Sequence, residues 1–205
     1  MDYDQLATDE TIEKTKKALE DKGYTVFVVQ NGTEALEKIK EIVPQGASIT
    51  NGSSVTLETI GYQDYLKSGQ SGWADLHAKV NQEDDEQKRH ILRKESSISD
   101  YYLGSVHALS EDGQMVFGSN TGSQLPSITF NSTNLIFVVG TQKIVPTLDD
   151  AMKRLEEYVV PLEDKHLMEK YGAHTNLSKV LIFKKEPPML GRKVNVILIK
   201  EKLGF

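Results

Sequence analysis

The spacing of apolar and polar positions divides the chain into alternating helical and extended segments. Residues 8–22 are rich in Lys and Glu and predict a helix, with Gly23 placed to end it as a C-cap. Tyr24-Thr25-Val26-Phe27-Val28-Val29 follows as a β-branched and aromatic run of strand length. Asn31-Gly32-Thr33-Glu34 then matches a capping box, in which an N-cap side chain is followed three residues later by Glu. Behind it Ala35, Leu36, Ile39, Ile42 and Val43 recur at helical spacing until Pro44 and Gly46 stop the helix. Residues 47–50 predict another strand, and Leu57, Ile60, Gly61 and Tyr65 place a helix face beyond the polar turn that follows it.

The second half repeats the alternation. Residues 68–72 predict a loop and residues 83–95 a charged helix. Residues 101–109 predict one strand, Glu111-Asp112-Gly113-Gln114 a tight turn, and Met115-Val116-Phe117 a returning strand. Residues 119–124 form a small polar loop, and 134–139 a wholly apolar strand that ends at Gly140. Thr147-Leu148-Asp149-Asp150 opens a helix with Leu148, Ala151, Met152, Leu155 and Val159 on one face. Two more strands are predicted over 180–183 and 194–199, with Pro187, Pro188 and Gly191 between them. Strands alternating with helices, several of them apolar on both faces, predict an α/β layered fold: a mainly parallel sheet flanked by helices. No repeat or linker interrupts residues 1–205, so a single domain is expected.

Composition narrows the chemistry. With 24 basic and 30 acidic side chains the formal charge is −6, and no basic face dominates, which argues against a general nucleic-acid binder. The one basic cluster, Lys88, Arg89, His90, Arg93 and Lys94, is offset by Glu83-Asp84-Asp85-Glu86 just before it, and reads as a solvated helix face. The chain has no cysteine, so disulfides, thiolate nucleophiles, cysteine-ligated zinc and iron–sulfur ligation by its own thiols are excluded. The five histidines show no metal spacing, and neither a metal nor a cofactor is expected. The first residues are acidic and polar with no signal-peptide pattern, and no apolar run approaches a membrane span, so a cytoplasmic location is expected.

One stretch carries the strongest binding signal. Asn51, Gly52, Ser53, Ser54 and Thr56 form a polar turn between a strand and a helix, where unpaired N–H groups and hydroxyls favour a phosphate or carboxylate. The same residues also suit an ordinary N-cap. Asn120, Thr121, Gly122, Ser123 and Gln124 are candidates for the facing wall of a cleft. Lys143, the one basic residue in an apolar segment, reads either as a reach toward an anion or as the exposed end of a strand. Glu58 is a weak candidate general base, more commonly a residue that complements a helix dipole. His107 reads as a buried, hydrogen-bonded histidine, and Trp73, Tyr62 and Tyr65 as aromatic packing.

These pieces together resemble the lactate-utilisation (LUD) domain family. The resemblance rests on Gly52-Ser53-Ser54-Val55-Thr56-Leu57 with Ile60-Gly61, on the run from Leu103-Gly104-Ser105-Val106-His107 to Gly113, and on Thr121-Gly122-Ser123. It continues through Ile136-Phe137-Val138-Val139-Gly140-Thr141-Gln142-Lys143-Ile144-Val145 to the closing Val196–Ile199 with Leu203-Gly204-Phe205. The resemblance implies a fold like that of ribose-5-phosphate isomerase, glucosamine-6-phosphate deaminase and the CoA transferases, in which a strand–loop–helix unit cradles a phosphate or acyl-CoA. For function it implies a small anionic metabolite in lactate or organic-acid metabolism, with an iron–sulfur protein as a partner by analogy; a homo-oligomer is compatible with it. The alternative is a non-catalytic ligand-binding or assembly protein. Two departures stand out. Short relatives carry a cysteine-rich stretch where this chain has residues 170–179 with no thiol, and an Asp-Gly-Thr-Gly-Asn loop where it has Ser119-Asn120-Thr121-Gly122-Ser123.

Overall fold

The computed structural model describes residues 1–205. Ten strands form two sheets: β1 (Thr25–Val29), β2 (Ser48–Asn51), β3 (Ala74–Asp75), β4 (Tyr101–Gly104), β5 (Ala108–Ser110), β6 (Met115–Ser119), β7 (Asn134–Gly140), β8 (Ile144–Val145), β9 (Lys179–Phe183) and β10 (Lys193–Ile199). The larger sheet has the order β1-β10-β7-β4-β2-β3 and every pairing in it is parallel. The smaller has the order β8-β5-β6-β9; β6 runs antiparallel to both neighbours, and β5 pairs parallel with β8. The parallel α/β layout agrees with the sequence pattern, whereas the second sheet is an addition to it.

Local chemistry sets the helix starts. Helix α1 (Asp9–Glu20) is capped by Thr8, and α2 (Gly32–Ile42) by Asn31, whose Oδ1 accepts the Glu34 N–H at 3.0 Å. Glu34 reaches back to accept the Gln30 N–H at 2.9 Å, one residue before the partner a standard capping box uses. Beyond the first polar turn lie two short helices instead of one, α3 (Val55–Thr59) and α4 (Tyr62–Lys67). Gly61, at φ +79°, breaks them apart. Helices α5 (Leu76–Asn81) and α6 (Glu86–Glu95) follow, and α6 buries no residue, consistent with its reading as a solvated face. Helix α7 (Leu148–Lys153), capped by Thr147, runs through a π-helical stretch (Arg154–Val159) into α8 (Val160–Tyr171).

Alternation along the central strands sorts the core. On β7, Leu135, Phe137 and Val139 face the smaller sheet, where they pack with Leu109, Met115, Phe117 and Phe183, and with Ile12 and Leu19 of α1. Ile136 and Val138 face the other way, onto Ala35 and Ile39 of α2 and Leu57 of α3. A third cluster packs Ala151, Leu155 and Val159 on the outer side of the smaller sheet, against Ala108, Val116 and Val145. The strands of the larger sheet are apolar on both faces because both faces are covered.

One expectation is corrected here. Residues 101–109 form two strands, not one: β4 lies in the larger sheet and β5 in the smaller. Ser105, Val106 and His107 carry the chain across the gap. That crossing places polar groups at the end of the parallel sheet.

Candidate functional site

Parallel strands end with their carbonyl termini pointing the same way, and the loops that follow them line a crevice where open α/β sheets hold ligands. Here those loops begin after Asn51, Gly104 and Gly140. They bound a cavity of about 480 Å³, closed by the turn after β6 on one side and by the π-helical stretch and α8 on another. Its lining includes Asn51, Gly52, Ser53, Ser54, Thr56, Asn120, Thr121, Ser123, Gln124 and Lys143. The two polar loops singled out by sequence therefore do meet across one space. Gly52 marks the contact: a Cβ there would stand 2.4 Å from Gln124 Oε1 and 3.0 Å from the Tyr102 hydroxyl, so only glycine fits without displacing the opposite wall.

Two sequence candidates fall outside the lining. Gly122 turns at φ +83° against the Lys179 side chain. Glu58 points to the surface, 56% exposed, and pairs with Lys170 at 3.3 Å, so its position fits the helix-dipole reading and not a base in this cleft. The aromatic trio packs as expected, with ring centroids of Trp73 and Tyr65 5.5 Å apart.

The first loop is only partly committed to capping. Ser54 Oγ accepts the Leu57 N–H at 3.3 Å, starting α3. The Gly52 N–H faces the Tyr102 hydroxyl, while the N–H groups of Ser53 and Ser54 donate to nothing within the chain. Asn51 donates through Nδ2 to the Gly52 carbonyl at 3.1 Å, leaving its buried Oδ1 without a partner.

Lys143 sits at the floor. The short 3₁₀ turn (Thr141–Lys143) after β7 directs its side chain inward, and the residue is only 3% exposed. Its Nζ donates to Thr56 Oγ1 and Ser105 Oγ, both at 3.0 Å, and to the Val106 carbonyl at 3.3 Å. Every one of these partners is neutral. Burial, reinforced by the Arg154 guanidinium, brings its pKa from 10.5 down to about 7. The reading of Lys143 as the exposed end of a strand is thus corrected: the turn folds it under the loop.

Two residues stand beside it: His107, read from sequence as a buried, hydrogen-bonded histidine, and Arg154, which the sequence pattern did not single out. His107 accepts the Gly118 N–H through Nδ1 at 3.0 Å, which leaves Nε2 to carry the proton. Burial and the positive charges of Lys143 and Arg154 push its pKa down to about 3, so the ring is neutral at ordinary pH. Arg154 is fully buried; it donates to the His107 carbonyl, lies 5.2 Å from the Tyr158 ring centroid, and leaves Nε and Nη2 unpartnered. Burial lowers its pKa to about 10. Glu163, on the α8 wall, has its pKa raised by burial. The alternation of Ser105 and His107 was the available signal, but read as one strand it gave no reason to place them at a loop.

The closing residues complete the floor. Thr56 Oγ1 donates to the Leu203 carbonyl at 3.1 Å, and Gln142 Nε2 to the same oxygen at 3.0 Å. Phe205 lines the cleft.

Comparison with known proteins agrees with this fold. Among solved structures, a DUF162 family protein from Deinococcus radiodurans superposes with a TM-score of 0.53 at 14% identity, covering 95% of this chain and 99% of that one; at this identity the likeness shows the fold alone. No curated protein matches. The family model described as the LUD domain matches residues 12–178, which takes in both polar loops and Lys143, and the chain belongs to the LUD domain family.

Proposed function

We propose that the cleft binds a small anionic metabolite, a carboxylate or a phosphate, and that the protein serves organic-acid metabolism as an enzyme or enzyme component. The observation that carries this reading is the buried amine of Lys143 at the cleft floor, whose hydrogen-bond partners are all neutral. An ammonium placed there without a counter-charge is unfavourable, and an anion entering the cleft relieves that cost. The uncommitted N–H groups of Ser53 and Ser54 supply further donors, and the unpartnered Oδ1 of Asn51 accepts from a ligand hydroxyl. Under this reading any electron transfer through a cysteine-ligated iron–sulfur cluster falls to a partner, since the chain carries no thiol to hold one. The absent cysteines are also what favours the second reading, a non-catalytic binding or assembly protein.

Thermal unfolding with inorganic phosphate, lactate or pyruvate tests the binding. A ligand at a hundredfold its Kd adds about 2.7 kcal/mol, equivalent to roughly 5–11 °C for a chain of this size. Combining Gly52→Val with Ser53→Ala is expected to abolish the rise, because the valine side chain drives into Gln124 and Tyr102. An unchanged rise in a folded variant places the ligand elsewhere.

A further inference from the structure

We propose that Lys143 is a nucleophile, and that its amine condenses with the carbonyl of an anionic 2-oxo acid held in the cleft to form an imine. The inference rests on the cleft being an anion site and goes one step further, to the class of ligand and the bond it makes.

The geometry accommodates a neutral amine at this place. As an ammonium, Nζ donates three hydrogen bonds, to Thr56 Oγ1, Ser105 Oγ and the Val106 carbonyl. Thr56 commits its own hydrogen to the Leu203 carbonyl, and Ser105 directs its hydrogen to the Val106 carbonyl at 3.3 Å. An amine with two hydrogens therefore keeps both 3.0 Å bonds and gives up only the 3.3 Å contact. The oxygen released, Val106 O, still receives the Ser105 hydroxyl. No acceptor is orphaned, and the lone pair gained reaches the cleft once Nζ turns away from the Val106 carbonyl.

The charges around it act in the same direction. Arg154 lies behind the site, and His107, neutral, stands beside it. Glu58 is turned away onto Lys170, while Glu163 and Arg93 occupy other parts of the cleft wall. No carboxylate stands among the contacts of Nζ to hold the proton on. Burial leaves the amine about half neutral near pH 7. An exposed lysine is neutral there in only about 1 part in 10³.

The step balances without a further reagent. The Nζ lone pair forms a C–N bond to the carbonyl carbon, and the carbonyl π pair moves to oxygen, which takes up a proton to become a hydroxyl. Loss of the second N–H proton and expulsion of that hydroxyl as water give the C=N bond. Thr56 and Ser105, within hydrogen-bond distance of Nζ, are placed to pass the proton from nitrogen toward the leaving oxygen. The carboxylate of the same ligand falls to the uncommitted N–H groups of Ser53 and Ser54.

The experiment uses the intact protein, glyoxylate as the smallest 2-oxo acid, and borohydride as the trap, followed by peptide mass mapping. The expected result is a mass increase on the Lys143 peptide equal to glyoxylate less one oxygen atom. At pH 7 it should form on the order of 10²–10³-fold faster than labelling of the exposed lysines. Mapping the wild-type protein locates the adduct without requiring any variant to fold; Lys143→Met should lose this adduct alone. Labelling at Lys143 no faster than at surface lysines overturns the proposal. Phosphate stabilisation without Lys143 labelling overturns the imine and leaves the anion site standing. Labelling at Lys143 without phosphate stabilisation supports the nucleophile and restricts the anion of the cleft to a carboxylate.

Discussion

Replacing Lys143 with methionine tests whether the cleft floor holds a cation at a cost. The native side chain is 3% exposed and its pKa falls from 10.5 to about 7. Because the folded value is depressed, the unfolded chain binds more protons between those two values. Stability is therefore fully present above about 10.5 and lost as pH falls toward about 7. At about 1.36 kcal/mol per unit, the full difference approaches 4–5 kcal/mol as an order of magnitude. Lys143→Met keeps the volume of the aliphatic stem and orphans no donor, since Thr56 and Ser105 direct their hydrogens to the Leu203 and Val106 carbonyls. The variant is expected to be more stable than wild type at pH 7 by several kcal/mol, with the difference closing as pH rises toward 10.5. Urea unfolding of both proteins across pH 6–10 measures it, and the subtraction cancels every other titrating group. A difference that does not change with pH, or a variant destabilised throughout, refutes the reasoning.

Two further outcomes follow from buried charge. His107 has its pKa depressed to about 3, so its contribution is intact above about 6.5 and lost as pH falls toward about 3. With the ring partly open to the cleft, the loss is at most ~4 kcal/mol, and acid unfolding of His107→Gln should be shallower than wild type over that range. Arg192, whose side chain is 5% exposed, donates to the carbonyls of Ser127, Ile128, Thr129 and Ser132 and to Glu186 at 3.0 Å. Arg192→Ala removes these hydrogen bonds, leaves the buried Glu186 carboxylate without its counter-charge and should cost about 3–5 kcal/mol, read by denaturant unfolding, and a loss under 1 kcal/mol would contradict it.

Signals that depend on near neighbours in sequence were legible; those that depend on distant ones were not. The Asn31–Glu34 cap and the N-cap of Thr147 are local hydrogen-bond patterns, and both form. The strand–turn–helix at Asn51 and the polar loop at Asn120 read correctly as loops, and the cleft they share follows from the parallel sheet. The break in residues 101–109 was hidden because the apolar alternation of Val106 and Ala108 runs on past Gly104-Ser105, and only the presence of a second sheet separates β4 from β5. Helix α8 gave no signal because it buries no residue. Lys143 was visible as an odd cation in an apolar run, but its burial depends on Thr56 and Ser105, 87 and 38 residues away.

The state of Lys143 itself is the most direct test of the account. An NMR titration following the isotope-labelled lysine ε-carbons, assigned with Lys143→Met, is expected to give a midpoint near 7 for the free protein. Saturating inorganic phosphate should move that midpoint upward, because an anion in the cleft stabilises the ammonium. A midpoint near 10.5 that phosphate leaves unmoved would contradict both the buried cation and the anion it is proposed to hold.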